Sequence, residues 1–266
     1  MLRRRHLPGP RSAPRPPILD RPRPFVIAHR GDSAHAPENT RLAFELALAA
    51  GTDAIETDLW LTADGELVCH HDATLERMTG DPRRIDALDF DALRRLTVRS
   101  PRFPDAPDQR IPSLAETLAW VPDSVLLVLE IKDPRIVEPA FARRLVAVIA
   151  DRMAQRGVVA IAFDPALLAA LRRIAPELAL GRIVMRNPLP TAFTELLGVN
   201  YRLLQLNPLY VWLAHRRGRW VAPFDPDLDA RLPRYLRIGV DAVLTNDPGR
   251  TRRRIAALRS ARQEGG

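Results

Sequence analysis

An α/β barrel of eight parallel strands, the TIM or (β/α)8 type, is the fold this sequence predicts, and three observations lead there. From Phe25 onward short β-type runs alternate with longer helical ones, the pattern of a parallel sheet wrapped by helices. The chain has 266 residues, 46% of them hydrophobic, which is enough to bury one core of the size usual for such a barrel. Its one cysteine, Cys69, lies in the apolar run Leu67-Val68-Cys69, so a buried, inert thiol is expected and no disulfide framework exists.

The strands are predicted, in order, at residues 25–29, 54–60, 124–132, 158–163, 178–184, 202–206, 220–224 and 241–245. Helical patterns at 41–50, 139–155, 165–174 and 228–238 fall between them, with Gly51, Gly157 and Gly239 as stops. One segment breaks the alternation. Residues 73–112, rich in Arg, Asp and Pro, read as a short insertion over the barrel mouth after the second strand. The barrel is expected over 25–255, between a disordered Arg/Pro-rich tail at 1–24 and a basic C-terminal tail at 256–266.

The net charge of +8 is unevenly placed. Residues 1–23 hold seven Arg against one Asp, and residues 250–266 hold six Arg against one Glu, which leaves the part between them at −3. The basicity therefore belongs to the ends. A nucleic-acid partner for the core function is not expected, while the tails leave open a peripheral contact with an anionic membrane. No stretch approaches the roughly 20 continuous apolar residues of a membrane span. The expected location is cytoplasmic, with membrane-peripheral contact open.

In such barrels the chemistry sits at the C-terminal ends of the strands. There the first strand ends in His29-Arg30-Gly31, the second contains Glu56-Thr57-Asp58, and the third ends in Glu130-Ile131-Lys132. Residues two apart on a strand share a face, so Glu56 and Asp58 project together, as do Glu130 and Lys132. Carboxylates crowded at the end of an apolar barrel need a compensating cation, and hard cations such as Mg²⁺ or Ca²⁺ prefer oxygen ligands. The turn signal Ala63-Asp64-Gly65 follows. A two-residue turn at Asp64-Gly65 sets Asp58 opposite His71, and a turn one residue longer presents His70 instead. Together with His29, such an imidazole could supply the two proton transfers of a phosphodiester cleavage. Lys132 is the only lysine among 40 basic residues, and a compact ammonium beside a metal ligand serves a phosphate in a way a guanidinium does not.

The segments Ile27-Ala28-His29-Arg30-Gly31, Pro37-Glu38-Asn39-Thr40, Glu56-Thr57-Asp58 and His71-Asp72 resemble the motifs of glycerophosphodiester phosphodiesterases. Leu129-Glu130-Ile131-Lys132, Gly239-Val240-Asp241 and Thr245-Asn246-Asp247-Pro248 are similar to the family's later landmarks, so the likeness spans about residues 25 to 250. The resemblance implies His29 and His71 as the acid–base pair, the family's histidine before Asp favouring His71 over His70. It also implies Glu56, Asp58 and Glu130 as ligands of a divalent cation, Mg²⁺ or Ca²⁺, and Arg30 and Lys132 as phosphate contacts. Glu38 and Asn39 fall where the family has a structured loop, although Asn39 can equally be the N-cap of the next helix. The implied substrate is a small-molecule glycerophosphodiester, cleaved to glycerol 3-phosphate and an alcohol. One route has the glycerol 2-hydroxyl attack phosphorus through a cyclic phosphate.

The second half departs from the family pattern. Ile161-Ala162-Phe163 stands where a Gln-Ser-Phe is usual, and Ala222-Pro223 where Trp-Thr is usual. A wider pocket with a bulkier alcohol is expected, with Trp60, Tyr210 and Trp212 as residues that could refill the space. Two alternatives accompany this reading. One is a lysophospholipase D on the same barrel; the other is a catalytically idle protein that binds a phosphorylated ligand.

Overall fold

The computed structural model describes residues 22–264. The strands are β1 (Phe25–His29), β2 (Ala54–Leu61), β3 (Leu67–Cys69), β4 (Leu126–Ile131), β5 (Val158–Ala162), β6 (Ala179–Val184), β7 (Leu196–Asn200), β8 (Trp220–Phe224) and β9 (Ala242–Thr245). All except β3 run parallel, in the order β8-β7-β6-β5-β4-β2-β1-β9. The ends of this path meet at Asp241. Its backbone N–H donates to the Val221 carbonyl at 2.9 Å, and its carboxylate accepts the Val221 N–H at 2.8 Å. The predicted TIM-type barrel is therefore present, nearly closed, with helices outside it.

Strand alternation sorts the side chains. Ile27, Leu126, Val128, Val159, Ile161, Ile183, Leu196 and Ala222 fill the interior, while their neighbours Ala28, Leu127, Leu129, Ala160 and Leu180 pack outward against the helices. The interior parity carries on past the apolar layers to His29, Glu56, Asp58 and Glu130, which is why these groups reach the mouth.

Three expectations need correction. The strand expected at 202–206 is a helix, Tyr201–Leu206, and the strand lies just before it at Leu196–Asn200. No helix separates β6 from β7, so the expected alternation slipped past the short Gly-containing strand onto the leucine-rich run that follows. Asn200 starts that helix, its side-chain oxygen accepting the Arg202 N–H at 2.9 Å. The basic C-terminal end is helical as far as Glu264: one helix runs from Pro248 to Glu264. At the other end, residues 1–21 of the expected tail lie outside the described residues, but Arg23 is anchored, its guanidinium paired with buried Asp241.

The hairpin β2–β3 pairs Leu59 with Cys69 and Leu61 with Leu67. This is the longer of the two turns considered, because Thr62 and Glu66 close a three-residue loop: the Thr62 N–H bonds the Glu66 carbonyl at 2.9 Å, and the Thr62 hydroxyl accepts the Glu66 N–H at 2.8 Å. The segment 73–112 then builds a satellite core of its own from Leu75, Met78, Ile85, Leu88, Leu93, Val98 and Ile111 against Val68 of the hairpin.

Candidate active site

Three neighbouring strands bring the acidic groups together. His29 pairs in register with Glu56, and Asp58 with Glu130. Glu56, Asp58 and Glu130 are all buried, and each offers a carboxylate oxygen within 4.8 Å of the others. Glu56 Oε1 has no hydrogen-bond partner. Asp58 Oδ1 and Glu130 Oε1 face the Lys132 ammonium at 3.2 and 2.6 Å, as ion pairs without hydrogen-bond alignment. Burial, then the charges of Asp58 and Glu130, push the Glu56 carboxyl well above its ordinary range, and burial raises Glu130 as well. Buried oxygens aimed at one another, one without any donor, fit a hard divalent cation.

The loop after β1 is shaped for this site. Gly31 has φ of +80°, and a Cβ there would lie 2.6 Å from the Ala43 carbonyl carbon, so only glycine fits. Arg30 and Asn39 also take positive φ, 58° and 55°. Asn39 does not cap the helix Arg41–Ala49; Thr40 does, accepting the Ala43 N–H. Asn39 turns inward instead. Its amide donates to Asp58 Oδ2 at 2.9 Å and its carbonyl accepts the Thr57 hydroxyl at 2.7 Å, which fixes the Asp58 carboxylate. Arg30 Nη1 donates to Glu38 at 2.9 Å, Arg30 Nε lies 3.3 Å from Asp58 Oδ2, and the Arg30 N–H donates to Glu56 Oε2 at 3.0 Å.

Both candidate imidazoles are held through Nδ1. His29 Nδ1 lies 2.7 Å from Asn246 Oδ1, and His71 Nδ1 lies 2.7 Å from Asp72 Oδ1. Burial, then the charge of Arg30, pushes the His29 ring down to about 4, so it is neutral at ordinary pH. His29 stands on β1 in register with Glu56 of the trio, and His71 follows the short strand β3, which pairs with β2 at Leu59, next to Asp58. His70 is the residue opposed to Asp58, its N–H on the Asp58 carbonyl at 3.0 Å, but its buried ring turns to the Thr74 carbonyl at 3.2 Å. The ladder ends at Cys69, which frees His71 to reach the site. Its backbone carbonyl is held by the Trp60 indole N–H at 3.1 Å.

Two groups were not singled out from the sequence. Asn246 sits in the Thr245-Asn246-Asp247-Pro248 landmark, but nothing in the sequence tied it to His29. Arg77, from the insertion, joins Asp72 and Glu38 through Nε and Nη2, at 2.5 and 2.7 Å. It completes a chain of contacts from His71 through Asp72, Arg77, Glu38 and Arg30 to Asp58.

A cavity of about 740 Å³ opens beside His29 and Asn246, walled by Asn200, Tyr201, Arg202 and Phe224. Ala222 points into the interior, where it packs in the apolar layer. Ala162 packs outward among the helices and so does not shape the mouth. Tyr210 is buried in the outer layer and Trp212 is exposed on the outer helix Tyr210–Arg216, so neither refills the space. The rim carries Phe163 and Phe224 instead, packed edge to face with ring centroids 6.0 Å apart.

A nearly closed parallel barrel with an acidic trio that fits a divalent cation, and with two imidazoles held through Nδ1 on the adjoining segments, points to a hydrolase of the metal-assisted class. Residues 29–250 match the model of the glycerophosphoryl diester phosphodiesterase family, and the chain belongs to that family, which makes it a phosphoric diester hydrolase. It is 30% identical over 229 residues to the glycerophosphodiester phosphodiesterase of Caldanaerobacter subterraneus subsp. tengcongensis, covering 84% of this chain and 94% of that one. It is 31% identical to the Arabidopsis thaliana glycerophosphodiester phosphodiesterase GDPD4, over 85% of this chain and 71% of the relative. Among solved structures, an Oleispira antarctica phosphodiesterase in complex with the product sn-glycerol-3-phosphate superposes with a TM-score of 0.77 at 26% identity, over 88% of this chain and 97% of that chain.

Proposed function

We propose that the chain hydrolyses glycerophosphodiesters to glycerol 3-phosphate and an alcohol, with His29 and His71 as the acid–base pair and Glu56, Asp58 and Glu130 as holders of Mg²⁺ or Ca²⁺. The observation that carries this reading is the convergence of three buried carboxylates, one oxygen without a donor, with two rings, each fixed through Nδ1, on β1 and just after β3. The product-bound relative supports the substrate class. A bound divalent cation would supply positive charge to the phosphate oxygens as charge develops there.

The chain's own residues divide the remaining work. With its Nδ1 proton on Asn246 Oδ1, the neutral His29 ring keeps a free lone pair on Nε2 and accepts the proton of the attacking hydroxyl there. His71, backed by the Asp72 carboxylate, can carry a second proton and gives it from Nε2 to the leaving alcohol oxygen. Lys132 stands over the same carboxylates as a point charge for a phosphate oxygen, and Arg30 is the second cation at that edge. The burial of the trio excludes bulk water, so these charges act at short range with little screening.

The test is a panel of glycerophosphodiesters with glycerol 3-phosphate release as the readout. The wild type is stripped with EDTA, supplied with Mg²⁺ or Ca²⁺, and compared with His29→Ala. Release that returns with the cation and is lost in the variant supports the assignment; a wild type inert on every diester in the panel overturns it.

A further inference from the structure

Eight large apolar side chains are strongly exposed among the described residues, and six of them, Met185, Leu189, Phe193, Leu206, Leu209 and Trp212, come from residues 182–219. That stretch holds six arginines and one acid, Glu195. Glu195 is buried, its carboxylate paired with Arg172 at 2.6 Å, so the surface carries positive charge without an exposed acid of its own. The basic excess here contrasts with the −3 of the chain between its two ends.

The local structure explains why these side chains are outside. The connection from β6 to β7 has no helix, so a loop covers this part of the barrel wall, and Leu189 and Phe193 lie on it about half exposed. The connection from β7 to β8 folds as two short helices, Tyr201–Leu206 and Tyr210–Arg216, with Leu206 and Leu209 at the bend between them, 82% and 59% exposed. The two connections touch: the Asn207 amide donates to the Pro188 carbonyl at 3.2 Å. Leu209, Trp212 and Arg216 follow one another on one helix face, and the Arg216 guanidinium lies over the Trp212 ring at 5.6 Å. The opposite face, Tyr210, Val211 and Ala214, is buried against the barrel. The surface adjoins the catalytic mouth, since Asn200, Tyr201 and Arg202 from the same stretch wall the cavity beside His29.

Exposed leucines at a bend, a tryptophan under an arginine and an excess of positive charge are what a surface needs to insert apolar tips below anionic headgroups. We propose that the surface formed by residues 182–219 docks on an anionic lipid bilayer and presents the barrel mouth to diesters held at that surface. This deepens the functional reading above and rests on it only for the substrate; the docking itself is independent of hydrolysis.

The test uses the full chain and vesicles of phosphatidylcholine with and without phosphatidylglycerol. The double variant Leu206→Ser, Leu209→Ser keeps the charge and, with both side chains largely exposed, the fold, which its melting temperature confirms. Wild type is expected to bind the anionic vesicles and to retain part of that binding at about 0.5 M salt, where the charges of the chain ends and of this surface are both screened and the inserted apolar side chains remain. The double variant is expected to lose at least about tenfold in partition coefficient, while hydrolysis of a soluble diester stays within about twofold. Brominated acyl chains should quench a fluorescence component that Trp212→Phe lacks. Equal binding by the double variant, binding abolished by salt in the wild type, or a Trp212 already shielded in a dimer of this chain without lipid would each overturn the proposal. A wild type that docks in this way but hydrolyses no diester would leave the docking standing and remove the catalytic reading instead.

Discussion

In the half of the barrel built from β1, β2 and β4, polar side chains at the mouth hold one another: Asn39 with Thr57 and Asp58, Glu38 with Arg30 and Arg77, His29 with Asn246. In the half built from β5 to β8, the mouth is framed by Phe163 and Phe224, and the connections beyond it show leucine, methionine and arginine to solvent. The first half holds the acidic trio on strands and the residues that steady it mostly on the loops that follow them, and its hydrogen bonds are dense. The second half lines the cavity beside His29 with Phe224 at the end of β8 and with Asn200, Tyr201 and Arg202 at the start of the helix after β7. The lesson is that reaction chemistry and substrate context are carried by different structural means in one barrel, and that they fail differently when altered.

The comparison is tested hardest by the two imidazoles. Replacing His29 or His71 with Ala is expected to lower kcat by about 10²- to 10⁴-fold with the fold intact. A loss of less than tenfold in either would remove that ring from the proton transfers. Next in size is Asn39→Ala, which frees the Asp58 carboxylate from its inward-turned amide. Loss of a group that orients a ligand typically costs about 10- to 100-fold in metal affinity, and titration calorimetry would show whether the amide matters.

The pH dependence of cation binding is a smaller effect with a definite sign. Burial raises the Glu56 and Glu130 carboxyls, so without a cation they keep protons at a pH where ordinary carboxylates have lost them. A cation must displace those protons, and affinity therefore weakens as pH falls. The gain in melting temperature on adding Mg²⁺ or Ca²⁺ should be larger at about pH 8 than at about pH 5; a gain independent of pH would argue that the trio is already ionised.

The smallest effect is expected from Arg77→Ala. Its guanidinium is about half exposed, and such ion pairs are screened by water. A few-fold loss of activity that shrinks further at high salt would fit a residue that only steadies Asp72 and Glu38. A loss as large as that of His71→Ala would move Arg77 into the catalytic group.

The same division explains what the sequence made legible. Glu56, Asp58 and Glu130 sit on strands whose period of two fixes their face, and Lys132 follows one residue past the end of β4, so their convergence could be read from spacing. His71 could not be reached that way, because the three-residue loop opposes His70 to Asp58 and only the end of the ladder lets His71 turn in. Asn39 looked like a helix cap because Asn caps helices; that its neighbour Thr40 takes the cap depends on the positive φ at Asn39. Arg77 reaches Glu38, and Asn246 reaches His29, across more than thirty residues of chain, a distance no local pattern spans. In the second half, a missing helix between β6 and β7 displaced the expected strand onto Tyr201–Leu206, and the outward side of Ala162 removed one of the two positions expected to widen the mouth.

Direct titration of the stripped protein with Mg²⁺ and Ca²⁺ tests the acidic trio as a cation site without reference to turnover. The wild type is expected to take up a cation, and Asp58→Asn, which keeps the shape and removes the charge, is expected to lose that uptake. Undiminished binding by Asp58→Asn, or a wild type that binds neither ion, would contradict it.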